Sequence, residues 1–587
     1  MEHRFVSRRH ALKTALLGGA ALAAASRLGL LRAAEDTVPS VSPRPIDWEK
    51  DWDPAVGLWW KKGPGHTEGT HQYERLHALP NAAVRLHYFA MHHALEGVPV
   101  EEVLKAIFSK QDPKTGALPW YWESTHIDDT NSAFFTGMAL IALWRQHADQ
   151  LSPAAQDLLR QICTGLDRHF STSIAGPSNA YYPNKWLGDL TCAWLLGELL
   201  ERDDTEATEK ALREAFLYWR KKDWGWGEHM SDTYAAVLLD EMSLLLLLSK
   251  HLPADIRRDG LKLLNELLAI NDAFADGPRV PALRSYAQGV SPKPDPYRER
   301  VRPLVAVPLA SLGNQLLCGP VLNDLGWHKL VAPRQPRRSE ISVPCFGGTT
   351  AQAYIAEDIR LGTMSHFPIM PGSEHWTWGL AWQSFPVCFW RPKADWGFLQ
   401  WETVENGRRA QHPAGKLDWG ATEKALSHTV NPPPVGHSCS LQRGPNALVL
   451  RLMPVMAESW EQLTDRLRVV DCKAEVKETG EGPWSQLSLK YPERTVVVRH
   501  YALQAPPPVL HQKGTVLDWD CTLAGPVGEK SLVSLWEICL DGTLSAPPKV
   551  TPVASAGAAQ AWNIEWPAPG GWKVLVDPLA VNTLREV

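Results

Sequence analysis

From Leu76 to Ile270 apolar residues recur at helical spacing, and the breaks between runs carry Pro, Gly, Asp and Asn. The pattern predicts helices over Asn81–Leu95, Val103–Phe108, Ser132–Gln146, Pro153–Phe170, Gly188–Glu201, Thr208–Lys221, Asp232–Lys250 and Ala254–Ile270. Helices in such number, joined by short connectors, predict antiparallel pairs. From residue 271 to about 340 the periodicity lapses, Pro and Gly become frequent, and KPDPYRERVRP and APRQPRRSE read as connecting segments. After Ile341 the pattern turns extended. Asn446–Leu452, Arg466–Val470, Thr495–Leu503, Leu532–Leu540 and Trp572–Val576 are short strand-like runs between turn residues. The fold class this implies is α+β multidomain, a helical domain over 56–335 followed by an antiparallel β-sandwich over 336–587.

One stretch departs from plain helical periodicity. In WGWGEHMSDTYAAVLLDEMSLLLLL (Trp224–Leu248) the second half is a buried helix, almost wholly apolar from Ala235. The first half crowds Trp224, Trp226, Glu228, His229, Ser231, Asp232 and Tyr234 into the turn that feeds it. Ser231 or Asp232 can cap the free N–H groups there. A helix N-terminus favours an anion, so the turn is a place to hold a carboxylate; equally, it is a capped core helix preceded by packed rings.

Composition adds three constraints. The net charge of −5 gives no global basic field, so neither nucleic acid nor a membrane surface is an expected partner. The 27 Trp raise the expectation of a carbohydrate site, because indole rings cover the apolar faces of sugars, although most will be core residues. The nine Cys are scattered without a CxxC pair, which excludes a zinc ribbon or disulfide framework. No nucleotide or redox cofactor motif is present, no cofactor is expected, and no ligand cluster supports a structural Ca²⁺ or Zn²⁺ ion.

The N-terminus is distinctive. Arg8-Arg9 precede an Ala/Leu/Gly-rich stretch interrupted by Arg27, and Ala33-Ala34 follow. This order resembles a twin-arginine signal peptide over residues 1–34, followed by a Pro-rich linker over 35–55. The apolar stretch is too weak for a stable membrane span. The expected partner is therefore the twin-arginine export machinery of a bacterium, and the expected location is periplasmic or secreted.

Aromatic loops sit between the helices: Trp59-Trp60, Trp120-Tyr121-Trp122, Tyr181-Tyr182 and Trp224–Trp226. Trp120 and Trp122 would suit a sugar platform, and Asp128-Asp129 follow them. Two carboxylates across a glycosidic bond, with Glu123 as a further candidate, are the equipment of a glycoside hydrolase. The same residues also fit a capped helix start, with Asp129, Thr130 or Asn131 as the cap.

Three segments together resemble the heparinase II/III-like polysaccharide lyases, which join an incomplete (α/α) toroid to a β-sandwich. In YPNKWLGDLTCAWLLGELL, Asn184 matches the Asn that opens a helix before a Trp. Glu228, Ser231 and Tyr234 match an acidic–Ser–Tyr spacing, with Tyr234 at the catalytic Tyr. GSEHWTWGLAWQSFPVCFW with WETVENGRRAQHP is similar to the first sandwich strands, with His375 at the family His. Two places depart from the pattern: Trp376-Thr377-Trp378 follow His375 with no Asp, and Trp226-Gly227 stand where Asp-Gly is common.

The resemblance implies β-elimination on an acidic polysaccharide or oligosaccharide containing uronate. Asn184 would neutralise the uronate carboxylate and stabilise the enolate-like charge. Tyr234, with His375 or His229, would be acid and base. A free Tyr titrates near about 10, so as a base it needs a cationic neighbour such as His229, His375 or Arg284. Arg284, Tyr286, Trp120, Trp122, Trp226, Trp376 and Glu228 would line the substrate, Glu228 orienting a neighbour because a bare carboxylate repels an acidic sugar. A hydrolase on the same toroid, using Asp128 and Asp129, and a non-catalytic carbohydrate-binding protein remain as alternatives.

Overall fold

The computed structural model describes residues 47–68, 71–127, 129–180, 182–221, 228–274, 279–282, 339–345, 349–369, 387–390, 398–405, 408–409, 436–453, 461–470, 472–524, 532–542, 546–553, 561–567, 571–576 and 584–586. Its α-helices are α1 Leu79–Met91, α2 Val100–Ser109, α3 Asn131–His147, α4 Pro153–Ala175, α5 Pro183–Leu199, α6 Glu206–Lys221, α7 Asp232–Leu248 and α8 Ala254–Ala273. Each lies on a stretch whose periodicity predicts it. The largest differences are the end of α4, at Ala175 rather than Phe170, and the start of α5, at Pro183 rather than Gly188. Proline in the first helical position brings a fixed φ and lacks only an N–H that would be unbonded anyway, so the helix opens before its apolar stripe does.

The helices form two layers. The odd-numbered helices pack side by side in sequence order, and the even-numbered ones pack against each other outside them. Composition sorts them. α3, α5 and α7 are apolar on nearly every face and buried along most of their length. α4 and α6 carry one apolar stripe and turn their charges outward. Gly188 permits the inner helices to approach: a Cβ there would lie 2.6 Å from the Phe134 ring and 2.9 Å from Glu241 Oε1.

The inner helices run in one direction, as their ends show. At the far end Glu198 of α5 accepts from Arg145 Nη2 of α3 (2.9 Å), from Trp194 Nε1 (3.0 Å), and from Ser249 Oγ (2.6 Å) with the Lys250 and His251 amides just past α7. The N-termini of α3, α5 and α7 accordingly share the opposite end. This is an incomplete (α/α) toroid. The expected linker over 35–55 has its last part in the described residues, and that part is folded. Trp52 pairs with Trp59 in a short antiparallel ladder, Trp59 Nε1 donates to Trp48 O at 2.7 Å, and the Trp52 and Trp59 rings meet edge-on at 5.1 Å.

Beyond the helices the described strands build antiparallel sheets in three layers. The nine-stranded sheet has the main order 509–513, 516–524, 462–470, 398–405, 387–390, 360–364, 350–355, 340–344. The seven-stranded sheet runs 475–481, 484–490, 495–504, 532–539, 446–453, 436–443, 366–369. Their facing sides form one core, where Leu467, Val469 and Trp519 meet Val449, Val498 and Trp536. The strand Asn446–Met453 is buried at every position. Its other face, Leu448, Leu450 and Leu452, is covered by Trp562, Trp566 and Trp572 of a four-stranded sheet. A strand covered on both sides loses alternation, which is why NALVLRLM reads as continuously apolar. Trp186, Trp219, Trp519, Trp536 and Trp566 are fully buried, so much of the tryptophan content is core.

The helical part joins the sandwich through a further cluster. Met230, Ile270 and Phe274 pack with Ile341, Ala351 and Met364 on the outer face of the nine-stranded sheet and with Phe367 of the seven-stranded one. The segment Arg279–Ala282 presses on the strand Arg360–Met364, where a Cβ at Gly362 would lie 2.1 Å from Pro281 N.

Candidate active site at the head of the inner helices

Asn184 is the second residue of α5 and is buried. No side chain of the preceding Tyr182 caps the helix. Glu228 does so from 44 positions away: its Oε2 accepts from Asn184 N at 2.8 Å, and its Oε1 accepts from Asn184 Nδ2 in a short bond. A carboxylate at a helix N-terminus satisfies one of the orphan amide donors and sits in the favourable end of the helix dipole. The anion site anticipated before α7 is thus realised at α5, and its occupant is the protein's own Glu228. An amide carries two N–H donors, and this geometry commits one of them.

Glu228 lies in a single 3₁₀ turn, Glu228–Met230, that leads into α7. Ser231 is the N-cap: its hydroxyl accepts from Tyr234 N at 3.2 Å. Tyr234 therefore sits in the first turn of α7, buried, on a helix that packs against α5. Asn184, Glu228 and Tyr234 are brought to one end of neighbouring inner helices.

The charge beneath them is unusual. Glu241 is fully buried, and among the described residues its carboxyl oxygens have no hydrogen-bond partner. Burial, followed by the nearby Glu228, Asp240 and Asp189 carboxylates, raises its pKa well above the ordinary carboxyl range. Lys185 and Asp189 form a buried pair at 2.6 Å on α5.

His229 is 1% exposed and faces the sheet, with Nε2 3.8 Å from Cys345 Sγ. Its backbone oxygen accepts from Arg279 Nη1. Burial, then the Arg279 charge, lowers its pKa to about 3, so the imidazole is neutral at ordinary pH. The structure places it under the Glu228–Ser231 turn.

The loop before α3 adds a second cluster. Trp120 Nε1 donates to Asp129 Oδ2 at 2.9 Å, and Asp129 Oδ1 accepts from Asn131 N at 2.9 Å. The Asp129 carboxylate is engaged as the turn before α3. Trp122 is half-buried with Lys110 Nζ 4.9 Å over its ring. Glu123 is tied to His77: Oε1 lies 2.5 Å from His77 Nδ1, and Oε2 accepts from His77 N at 3.1 Å. His77 Nε2 lies 3.3 Å from Asp53 Oδ2, and Trp60 stacks on the ring at 4.0 Å. This His77 cluster was not legible in sequence, because Asp53, His77 and Glu123 are far apart along the chain and form no motif. Arg279 was missed for the same reason. Asp128, Trp226, Arg284, Tyr286, His375 and Trp376 lie outside the described residues.

Among the described residues no group of three or more His, Cys, Asp or Glu is arranged to hold a metal ion, and no helix is long and apolar enough to cross a membrane.

The architecture defines a toroid-plus-sandwich protein. No family model matches the chain, and no curated protein does. Among solved structures it is similar in fold to a crystal structure of heparinase III, at 8% identity, 89% of this chain, 85% of that chain and a TM-score of 0.40. It is also similar to a heparinase III gene product with methylated lysines, at 8% identity, 86% of this chain, 82% of that chain and a TM-score of 0.36. The same gene product without that modification gives 8%, 86%, 84% and 0.35.

Proposed function

We propose that this protein is an exported polysaccharide lyase that cleaves a uronate-containing glycan by β-elimination. The observation that carries the reading is the placement of Asn184 and Tyr234 in the first turns of adjacent inner helices, with Glu228 fixing the Asn184 amide. In that reading the free N–H of Asn184 meets the uronate carboxylate and lowers the cost of the charge that develops as the C5 proton leaves. The base takes the C5 proton, a C4=C5 double bond forms, the C4–O4 bond breaks, and O4 receives a proton from the Tyr234 phenol. The base is Tyr234 itself where both events share one face of the ring, or His375 where they do not. His229, neutral and turned to Cys345, enters as a support of the Glu228–Tyr234 turn rather than as a proton carrier. The hydrolase reading is weaker, because Asp129 and Glu123 already hold Trp120, Asn131 and His77.

The test is ultraviolet absorbance of unsaturated uronate ends. Purified protein would be run on alginate, heparan sulfate, chondroitin sulfate and hyaluronan, with Tyr234→Phe beside it. The expected result is product from the wild type and at least a hundredfold less from the variant. Near-normal turnover by Tyr234→Phe, or release of reducing ends without unsaturation, would sink the reading.

A further inference from the structure

The same end of the helical layers carries a groove of about 990 Å³. Three segments wall it: the end of α2 with the turn after it, the loop from Pro119 to Ile127 together with Thr130, and the last turns of α4. The volume lies at the upper end of ordinary ligand pockets.

The walls are built in advance. Gln111 Nε2 donates to Gly116 O (2.9 Å) and to Ile162 O of α4 (3.0 Å), locking the turn to the helix. Lys110 Nζ is held over Trp122 and donates to Ser124 O at 3.2 Å, tying the first wall to the second. An ammonium has three donors, so this leaves capacity for a ligand. Asp112, the carboxylate in the lining, is turned back into its own loop, where Oδ1 accepts from the Lys114 and Thr115 amides at 2.8 and 2.6 Å. Among the described residues that line it, Lys110 and Lys114 then set the sign of the groove. His169 lines its inner wall, and His169 Nε2 is buried without a hydrogen-bond partner among the described residues. Behind the wall, Ser173 Oγ donates to Asp189 Oδ2 at 2.7 Å, on the helix that begins with Asn184.

We propose that this groove is a second carbohydrate subsite, which takes a segment of an acidic glycan with Lys110 and Lys114 at its carboxylates and His126 and His169 at its hydroxyls. The glycan class rests on the function proposed above. A preformed, hydroxyl-lined and cationic groove beside the helix that carries Asn184 would hold the chain away from the bond that breaks, so it acts on affinity for polymer and leaves the chemistry alone.

The test uses the full chain and two readouts. Affinity electrophoresis in gels containing alginate, heparan sulfate, chondroitin sulfate or hyaluronan gives Kd for the wild type, Tyr234→Phe, Lys114→Glu and Lys110→Met/Lys114→Glu. Unsaturated-product assays run in parallel. Lys114 is exposed, so Lys114→Glu tests the charge without asking the fold to adapt. The expected result is a Kd at least tenfold weaker in the double variant, about threefold or more in the single, and unchanged in Tyr234→Phe. Where product forms, KM for polymer rises with kcat within twofold. Unchanged retardation of the groove variants overturns the proposal, as does a wild type retarded by none of the polymers. A charge-dependent loss of binding in a protein that makes no unsaturated product overturns the lyase and keeps the groove. Product formation with groove variants of full affinity does the reverse.

Discussion

Glu228→Gln isolates the device that holds Asn184. The substitution keeps size and shape while removing the charge. A carboxylate accepts from Asn184 N at one oxygen and Asn184 Nδ2 at the other. A carboxamide has a single acceptor oxygen, so one contact becomes donor against donor. A charge-assisted hydrogen bond contributes about 1.5–3 kcal/mol, and a buried donor left unpaired costs about 1–3 kcal/mol. Working against this, the anion being removed is one of the carboxylates that raise the Glu241 pKa, so its loss relieves a buried cluster of acids. The balance is a net loss of about 1–3 kcal/mol. For a helical layer of this size about 2 kcal/mol lowers the melting midpoint by about 4–8 °C. Near-ultraviolet circular dichroism on heating reads the midpoint, and the unsaturated-product assay reads turnover. With Asn184 no longer fixed, kcat should fall about tenfold to a hundredfold, more than KM rises. A variant with unchanged midpoint and unchanged kcat would refute the argument that Glu228 positions Asn184.

Two further outcomes follow from the packing. Burial holds His87, His229 and His500 neutral in the folded protein, each with its pKa pushed down to about 3, His87 being further lowered by His147 and His229 by Arg279. The unfolded chain binds more protons between about pH 6.5 and 3, so the stabilisation is complete above about 6.5 and is lost on acidification, by up to about 1.4 kcal/mol per pH unit for each group; urea midpoints that stay level from pH 7 to 5 would contradict this. Gly362→Ala puts a methyl group 2.1 Å from Pro281 N and should cost about 3 kcal/mol or more by forcing the Arg279–Ala282 segment off the sheet, whereas Gly482→Ala, at φ +58 with nothing within 4 Å, should cost about 1 kcal/mol of local strain; equal midpoints for the two in differential scanning calorimetry would rule out the close approach as the cause.

Asn184 and Tyr234 were singled out by the resemblance of their segments, and their places on the helices follow from local features. Asn184 follows the proline that opens α5, and Tyr234 lies three residues after the serine that caps α7. The helices were legible because an apolar stripe repeats every three to four residues whatever the partner. The shorter strands were not. The runs 366–369, 387–390 and 408–409 are stabilised by neighbours far along the chain, and a few residues carry too little alternation to show it. The third sheet, with Trp562, Trp566 and Trp572 against the seven-stranded one, was hidden for a related reason. A strand apolar on both sides looks the same whether its second face meets a sheet, a helix or another chain.

The sequence by itself determined the order of the chain, helices before strands, and the Ser231 cap from which α7 begins. Those depend on residues within a turn of each other, where spacing alone decides geometry. Only the tertiary structure decided which charges meet. It set Glu228 on Asn184, Glu123 and Asp53 on His77, and Arg279 on the His229 backbone oxygen, and it buried Glu241 beside other carboxylates that raise its pKa. Electrostatic partners are chosen by distance and burial, which a linear pattern does not carry until the layers close.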